Sequence, residues 1–300
     1  MIIASTLQYE SILKNQFPKY SKHQFFLEPS KKNTAPCIAF AAYKLAKKYP
    51  DAIMVVSPAD HAIFKEEKFL KSIELAVKTA EEGKLVTIGI KPNRPETGYG
   101  YIQYLEGNGA VKKVKTFTEK PELDLAKKFL ESGDFVWNAG IFVWSVKAII
   151  EAFEKYDPST AEIFEEGNKY FYTWKEKKFV QAAYAQCRNI SIDYAIMEKA
   201  ENVHVVQGDF GWSDLGSWGT VYDLNEKDDN GNVLSEGVQL LQSSNNLVSI
   251  PKDKVAVIEG LENFLIVDAG DVLLICPKNE SDELKDLMRE AKKAHGDRIL

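Results

Sequence analysis

The spacing of apolar positions alternates between helical and strand patterns along most of the chain. After Pro36, which suits a first helical turn, Ile38, Ala41, Ala42, Leu45 and Tyr49 recur at helical spacing. Residues 52–56 are an unbroken apolar run of strand length. Phe69, Ile73, Ala76, Val77 and Ala80 then mark one face of a helix that Gly83 ends. The runs 85–90, 100–103, 111–117, 141–144 and 203–206 predict further strands, the second and third paired around a loop at 106–110. Helices are predicted over 123–130, 146–155, the aromatic-rich stretch 159–186 and 193–200. This alternation favours an α/β domain over 1–228, with a mostly parallel sheet covered on both faces. After Asp229-Asn230-Gly231-Asn232 the texture changes to short apolar runs separated by turns such as Asn245-Asn246, Pro251-Lys252-Asp253 and Asp268-Ala269-Gly270-Asp271. Residues 229–300 therefore read as a small all-β module, β-helix-like in character, closed by a terminal helix. For that helix Ser281 is the candidate N-cap, Asp282 and Glu283 favour its positive end, and Lys292, Lys293 and Gly296 mark the other. No internal repeat and no low-complexity segment stands out.

Two stretches carry candidate chemistry. The run 203–206 leads into Gln207-Gly208-Asp209-Phe210-Gly211-Trp212-Ser213-Asp214-Leu215-Gly216-Ser217-Trp218, where acids alternate with glycines and aromatic rings. A carboxylate just past the end of a buried strand is where an open α/β sheet places ligand and metal chemistry. Taken alone, the stretch is equally an aromatic turn closing a core. The run 51–56 ends the same way, in Ser57-Pro58-Ala59-Asp60-His61. Two strand-end aspartates far apart in sequence can converge on one hard cation such as Mg²⁺, which usually works beside substrate phosphates.

Asn33-Thr34-Ala35-Pro36, Ser57-Pro58-Ala59-Asp60-His61, Arg94-Pro95-Glu96-Thr97-Gly98-Tyr99-Gly100-Tyr101-Ile102, Phe117-Thr118-Glu119-Lys120-Pro121, Asn138-Ala139-Gly140-Ile141-Phe142, Asp193-Tyr194-Ala195-Ile196-Met197-Glu198-Lys199 and Gly211-Trp212-Ser213-Asp214 follow one another in order. Together they resemble the mannose-1-phosphate guanylyltransferase family, the GDP-mannose pyrophosphorylase branch of the sugar nucleotidyltransferases. The resemblance runs over nearly the whole chain. It implies a Rossmann-like nucleotidyltransferase domain that transfers GMP from GTP to mannose 1-phosphate, giving GDP-mannose and pyrophosphate. The sugar phosphate oxygen attacks, so no protein nucleophile is needed, and positioning and charge neutralisation supply most of the catalysis.

The same resemblance assigns site residues. Asp60 and Asp214 become catalytic ligands of Mg²⁺; for Asp60 the alternative is a helix cap beside His61, and Asp209 is a third ligand or a strand-end cap. Lys120 is placed to meet the sugar phosphate as a point charge. Glu119 can accept from two adjacent sugar hydroxyls, and Asn138 can both donate and accept. Gly98 and Gly100 let backbone amides reach the ligand, although Thr97-Gly98-Tyr99-Gly100 is otherwise an ordinary turn. Arg94 is a phosphate contact or a surface cation. Glu28 is the candidate guanine reader, because a carboxylate can accept from N1–H and the 2-amino group together. Asn33 and Thr34 hold the ribose or cap a helix, Asp193 orients the sugar-pocket loop or caps one, and His61, His204 and His295 are assigned to packing or surface.

The sequence also departs from the family. Its members open with a strand, a G-x-G-T-R loop whose amides cradle the nucleotide phosphates, and a P-K-Q-F segment. These residues begin Met1-Ile2-Ile3-Ala4-Ser5, have no glycine before Gly83 and contain no such loop; Asn15-Gln16-Phe17-Pro18-Lys19-Tyr20 does not replace it. The expected domain is therefore N-terminally incomplete. Alternatives are a catalytically silent chain that binds sugar nucleotide, or a subunit whose phosphate loop comes from another segment. A metal-dependent glycosyltransferase is a third, though it would display a D-x-D pair where the chain has Ala59-Asp60-His61.

Composition narrows the partners. A net charge of −6 over 300 residues argues against a nucleic-acid surface, which is normally basic. The apolar runs are too short for a membrane span, and residues 1–7 lack the features of a signal peptide. Cys37, Cys187 and Cys276 have no metal-ligand spacing and read as thiols of a reducing cytoplasm. The expected partners are GTP and mannose 1-phosphate, with no nucleic acid and no membrane; a homodimer is left open.

Overall fold

A computed structural model describes residues 1–107, 109–278 and 281–296, without the side chains of 281–283 and 285. The capping roles expected of Ser281, Asp282 and Glu283 fall outside the described side chains. The chain folds as two compact units, Met1–Ala59 with Ile63–Trp212, and Asp60–Ala62 with Ser213–Leu300.

The first unit opens with β1 (Ile3–Thr6), α1 (Glu10–Gln16) and β2 (Phe25–Glu28), and β1 pairs with β2 in parallel as a two-stranded sheet of its own. Next comes α2 (Thr34–Ala46), capped by Asn33, whose side-chain oxygen accepts the Thr34 N–H. Pro36 sits in its first turn, where a missing N–H costs no intrahelical bond. The order continues β3 (Ile53–Val56), β4 (Ala62–Ile63), α3 (Glu66–Ala80), β5 (Leu85–Ile90), β6 (Tyr101–Tyr104), β7 (Val111–Thr118) and α4 (Leu123–Ser132). It ends β8 (Phe135–Ser145), α5 (Val146–Tyr156), α6 (Pro158–Glu165), α7 (Glu176–Gln186), β9 (Val203–Gly208) and β10 (Trp212–Ser213), with Ala62 of β4 and Ser213 of β10 counted in the second unit.

Six strands form the main sheet in the order β3-β8-β5-β9-β7-β6, and β6 pairs with β8 as well. Alternate residues face opposite sides, as the pleat requires. Leu85, Phe142, Trp144, Val203 and Val205 are buried with helices α2, α5 and α6, while Val86, Ile88, Ile141, Val143 and Val206 are buried with Ala76 and Ala80 of α3. Both faces are covered, as expected. The sheet is mixed rather than mostly parallel: β5–β9 runs parallel and the other pairings run antiparallel. The cause is β8, an 11-residue strand that runs antiparallel to β3, β5 and β6. Asn138 and Gly140 interrupt its apolar pattern, so the sequence marked only its second half. The strand passes through them on an irregularity opposite 87–89, with Gly140 at a φ of 68°.

Two predicted helices are also revised. The stretch 159–186 is broken between α6 and α7 by a 3₁₀ turn at Glu166–Lys169 and by Tyr172 at a φ of 62°, a left-handed conformation no helix admits. The expected helix over 193–200 is a single π-helical turn, Asp193–Met197, a rare local structure that often marks functional sites.

In the second unit, α8 (Trp218–Leu224) precedes β11 (Val233–Leu234), β12 (Val238–Leu241), β13 (Leu247–Ser249), β14 (Ala256–Glu259), β15 (Phe264–Asp268), β16 (Leu273–Pro277) and α9 (Ser281–His295). The division falls ahead of the expected 228/229 boundary because α8 packs with these strands. Tyr222 is buried with Leu247 and Leu265, and its hydroxyl donates to the Gly231 carbonyl. Strands β11, β13 and β15 stack in parallel, β12 and β14 do likewise, and β16 closes the first stack antiparallel to β15. A repeat the sequence did not reveal underlies the stack. Gly231, Asn245 and Asn263 take left-handed φ values of 77°, 57° and 61°, each two residues before the mutually aligned Val233, Leu247 and Leu265. Glycine and asparagine are the residues that enter this region most readily, and unequal loops between the turns hide the period.

The buried Asn232 and Asn246 tie these turns together. Asn232 Oδ1 accepts from the backbone and side-chain N–H of Asn246, and Asn246 Oδ1 accepts the Phe264 N–H while its Nδ2 also donates to the Leu261 carbonyl. Asn246→Ala leaves several of these groups unpaired inside the stack, so it should lower stability by about 2–4 kcal/mol. Chemical denaturation followed by a probe in the second unit checks this, with an unchanged midpoint as the contrary outcome. Among the described residues no helix is long and apolar enough to cross a membrane.

Candidate active site

In the first unit, four of the sequence-predicted residues come together. Gly100 enters β6, Glu119 leaves β7, Asn138 lies in β8 and Asp193 starts the π-helical turn. The Asn138 N–H donates to the Gly100 carbonyl at 2.8 Å. A methyl group on Gly100 would lie 2.5 Å from Glu119 Oε2 and 3.4 Å from Asn138 Cβ, so any side chain there would push the Glu119 carboxylate from its place beside the strand. Asn138 Nδ2 donates to Asp193 Oδ1 at 3.0 Å. Burial and the nearby charge of Glu119 push the Asp193 carboxyl up to about 6, against hydrogen bonds that oppose the rise. Burial also raises Glu198, a second carboxyl close to Glu119.

Lys120 stands at the rim. Its backbone is left-handed, with a φ of 47°, its side chain is exposed, and Nζ lies 3.4 Å from Glu119 Oε1. Gly98 and Arg94 are drawn to a different group. The Gly98 N–H and the Arg94 Nε both donate to the Glu96 carboxylate, and the Arg94 guanidinium lies over the Trp137 ring at 5.4 Å.

Glu28, Asn33 and Thr34 are occupied within the fold. Glu28 is buried at the end of β2, where its carboxylate accepts from the Tyr184 hydroxyl at 2.8 Å and from the Cys37 thiol. Burial raises its carboxyl above the usual range, and those two bonds offset part of the rise. Its carboxylate is thus engaged inside the fold. Asn33 is the helix cap. The capping role expected of Thr34 passes to it, because the Thr34 hydroxyl accepts the Ile192 N–H at 2.8 Å and so anchors the segment leading to Asp193. Asp209 is exposed and paired with Lys68 at 2.7 Å and Lys65 at 3.9 Å.

In the second unit, Asp60 and Asp214 meet at His61. His61 Nε2 lies 4.0 Å from Asp60 Oδ1. Burial holds the His61 imidazole below its usual value, while the charges of Asp60 and Asp214 act in the opposite direction. Ala62 and Ser213 belong to strands of one two-stranded sheet, which sets the two acidic turns side by side. The Asp214 carboxylate accepts the Gly216 N–H at 3.0 Å, and a methyl group on Gly216 would lie 2.7 Å from it. Among the described residues no three His, Cys, Asp or Glu gather as a metal cage. Two hard carboxylates fit Mg²⁺, which keeps waters and substrate phosphates in the rest of its shell.

Residues 1–231 match the family described as Nucleotidyl transferase. The chain belongs to that family. Among similar proteins, the xanthan biosynthesis protein XanB of Xanthomonas campestris is 37% identical over 274 residues, covering 89% of this chain and 57% of the relative. The mannose-1-phosphate guanylyltransferase of Escherichia coli is 34% identical over 296 residues, covering 96% of this chain and 62% of the relative. The chain therefore spans 57–62% of the length of these relatives. A crystal structure from Thermus thermophilus, described as a mannose-1-phosphate geranyltransferase, superposes with a TM-score of 0.85 at 29% identity, over 97% of this chain and 84% of that one.

Two residues of this nucleotidyl transferase domain that sequence reasoning passed over adjoin the first cluster. Thr87, fully buried in β5, donates its hydroxyl to Asn138 Oδ1 at 2.9 Å. Its one sequence signal is a lone hydroxyl in the apolar run Leu85-Val86-Thr87-Ile88. Glu198 carried none beyond its place in the Asp193–Lys199 block.

Proposed function

We propose that this chain carries the sugar-phosphate and metal sites of a mannose-1-phosphate guanylyltransferase, which transfers GMP from GTP to mannose 1-phosphate and releases pyrophosphate. The observation that carries the reading is the convergence of Glu119, Gly100 and Asn138. A carboxylate acceptor and a carboxamide side by side, with no side chain between them and the strand, suit adjacent hydroxyls of a hexose. The name of the Escherichia coli relative supports mannose 1-phosphate as that hexose and GTP as the donor. Lys120 supplies a cation for the sugar phosphate. Asp60 and Asp214 would hold Mg²⁺, which when bound would neutralise phosphate charge. Glu28 and Asn33, satisfied within the fold, are given no ligand contact. We read the parallel stack of the second unit as a short β-helix and the protein as cytoplasmic.

A second reading, a sugar-nucleotide-binding chain that depends on a phosphate loop from elsewhere, is favoured by one observation: residues 1–300 contain no G-x-G-T-R segment. Both readings keep the sugar pocket. In Glu119→Gln the shape is retained and the ionised acceptor is lost, so mannose 1-phosphate affinity should fall about tenfold to a hundredfold while GTP affinity is largely spared. Calorimetry with each ligand tests this, and equal weakening of both would remove Glu119 from the sugar pocket.

A further inference from the structure

We propose that Thr87 and Asp193 are positioning residues that lock the Asn138 carboxamide in one orientation, leaving a single N–H donor for a ligand hydroxyl beside the Glu119 carboxylate. This inference rests on the sugar-binding reading of that cluster and adds its hydrogen-bonding specificity.

The orientation follows from partners that cannot exchange roles. The Gly140 N–H lies 3.1 Å from Asn138 Oδ1, and a backbone N–H only donates, so the atom facing it is the oxygen. On the other side the Asp193 carboxylate faces Nδ2, and an ionised carboxylate only accepts. The Thr87 hydroxyl has one hydrogen and two candidate acceptors, Asn138 Oδ1 at 2.9 Å and the Ile141 carbonyl at 3.4 Å. The shorter contact takes it. Oδ1 then holds two donors, its ordinary capacity. Nδ2 has given one hydrogen to Asp193 and keeps one.

Asn138 therefore offers a ligand a donor and no acceptor, although a free carboxamide would offer both. Glu119, by contrast, offers acceptor oxygens. The pair fits a sugar on which one hydroxyl accepts from Nδ2 while it, or its neighbour, donates to the carboxylate. The support is buried and specific. Thr87 is inaccessible, and its methyl-bearing carbon lies in the apolar sheet. Asp193 is held on the π-helical turn, whose approach is fixed by the Thr34 hydroxyl on the Ile192 N–H. Burial and the Glu119 charge raise the Asp193 carboxyl, and the bond from Asn138 Nδ2 opposes that rise.

The test uses Thr87→Val, which keeps the shape and removes the hydroxyl, Thr87→Ser, which restores the hydroxyl, and Asp193→Ala. Calorimetry measures mannose 1-phosphate and GTP separately. The expected result is a loss of about tenfold in mannose 1-phosphate affinity for Thr87→Val and Asp193→Ala, recovery in Thr87→Ser, and little change for GTP. Unchanged sugar-phosphate affinity in both deletion variants, or equal losses for both ligands, overturns the proposal. If the wild-type chain binds no sugar phosphate, the functional reading fails by itself. The positioning claim is then decided by the Asn138 side-chain amide resonances. Thr87→Val should shift both amide protons and speed their exchange with water, and unchanged spectra would overturn it.

Discussion

Purified alone, the 300 residues should release pyrophosphate from GTP and mannose 1-phosphate at a negligible rate, and joining a strand and G-x-G-T-R loop to Met1 should restore turnover. The reason is electrostatic. Nucleotidyl transfer asks the protein to hold a charged, in-line arrangement of phosphates without offering a nucleophile of its own. Backbone amides aimed at developing charge are the largest single resource for that task, and one such donor alone is worth roughly 10²–10³ in rate. Several amides of a phosphate loop acting together should make the difference larger still. The proposed sugar pocket draws on β6, β7, β8 and the turn at Asp193, all within residues 1–300, so mannose 1-phosphate binding should persist while turnover is absent. A steady-state pyrophosphate assay of the chain with and without the added segment decides the matter. Turnover of around ten per second by the unextended chain would show that the loop is dispensable.

In the chain carrying that segment, Asp214→Asn should reduce guanylyl transfer about a thousandfold or more, with Asp60→Asn close behind. An asparagine oxygen can still accept the Gly216 N–H that Asp214 accepts at 3.0 Å, so the turn and the thermal midpoint should survive. What is lost is ionised oxygen for a hard divalent cation. The measurement is pyrophosphate release across a Mg²⁺ titration, paired with a melting curve. Retention of most activity, or a loss matched by unfolding, would remove Asp214 from the metal site.

The candidate site was legible partly in residue types and mostly in the order of its motifs. Aspartates after strand runs stood out by residue type, whereas Glu119, Gly98, Gly100 and Asn138 were assigned by the resemblance of their motifs. Glu28 shows what residue type alone leaves out. Its carboxylate is buried and accepts from Cys37 nearby and from Tyr184, a partner 156 positions away that no local pattern reveals. Thr34 and Thr87 were open to the same ambiguity, since a hydroxyl can cap, bridge or pack and its spacing does not say which.

The sequence by itself determined the local elements and the presence of the chemistry. Apolar periodicity placed α2, β3, α3, β5, α5 and β9, because burial of one face or both constrains every turn or every second residue. It could not determine strand direction, since an apolar strand buried on both faces reads alike whichever way its neighbour runs. Only the tertiary structure decided that β8 runs antiparallel to three strands through Asn138 and Gly140, and that α8 belongs with the parallel stack. It alone decided how the Asn138 amide is turned. Those outcomes depend on pairings between residues dozens of positions apart, such as Thr87 with Asn138 and Asn138 with Asp193, whose geometry no local pattern encodes.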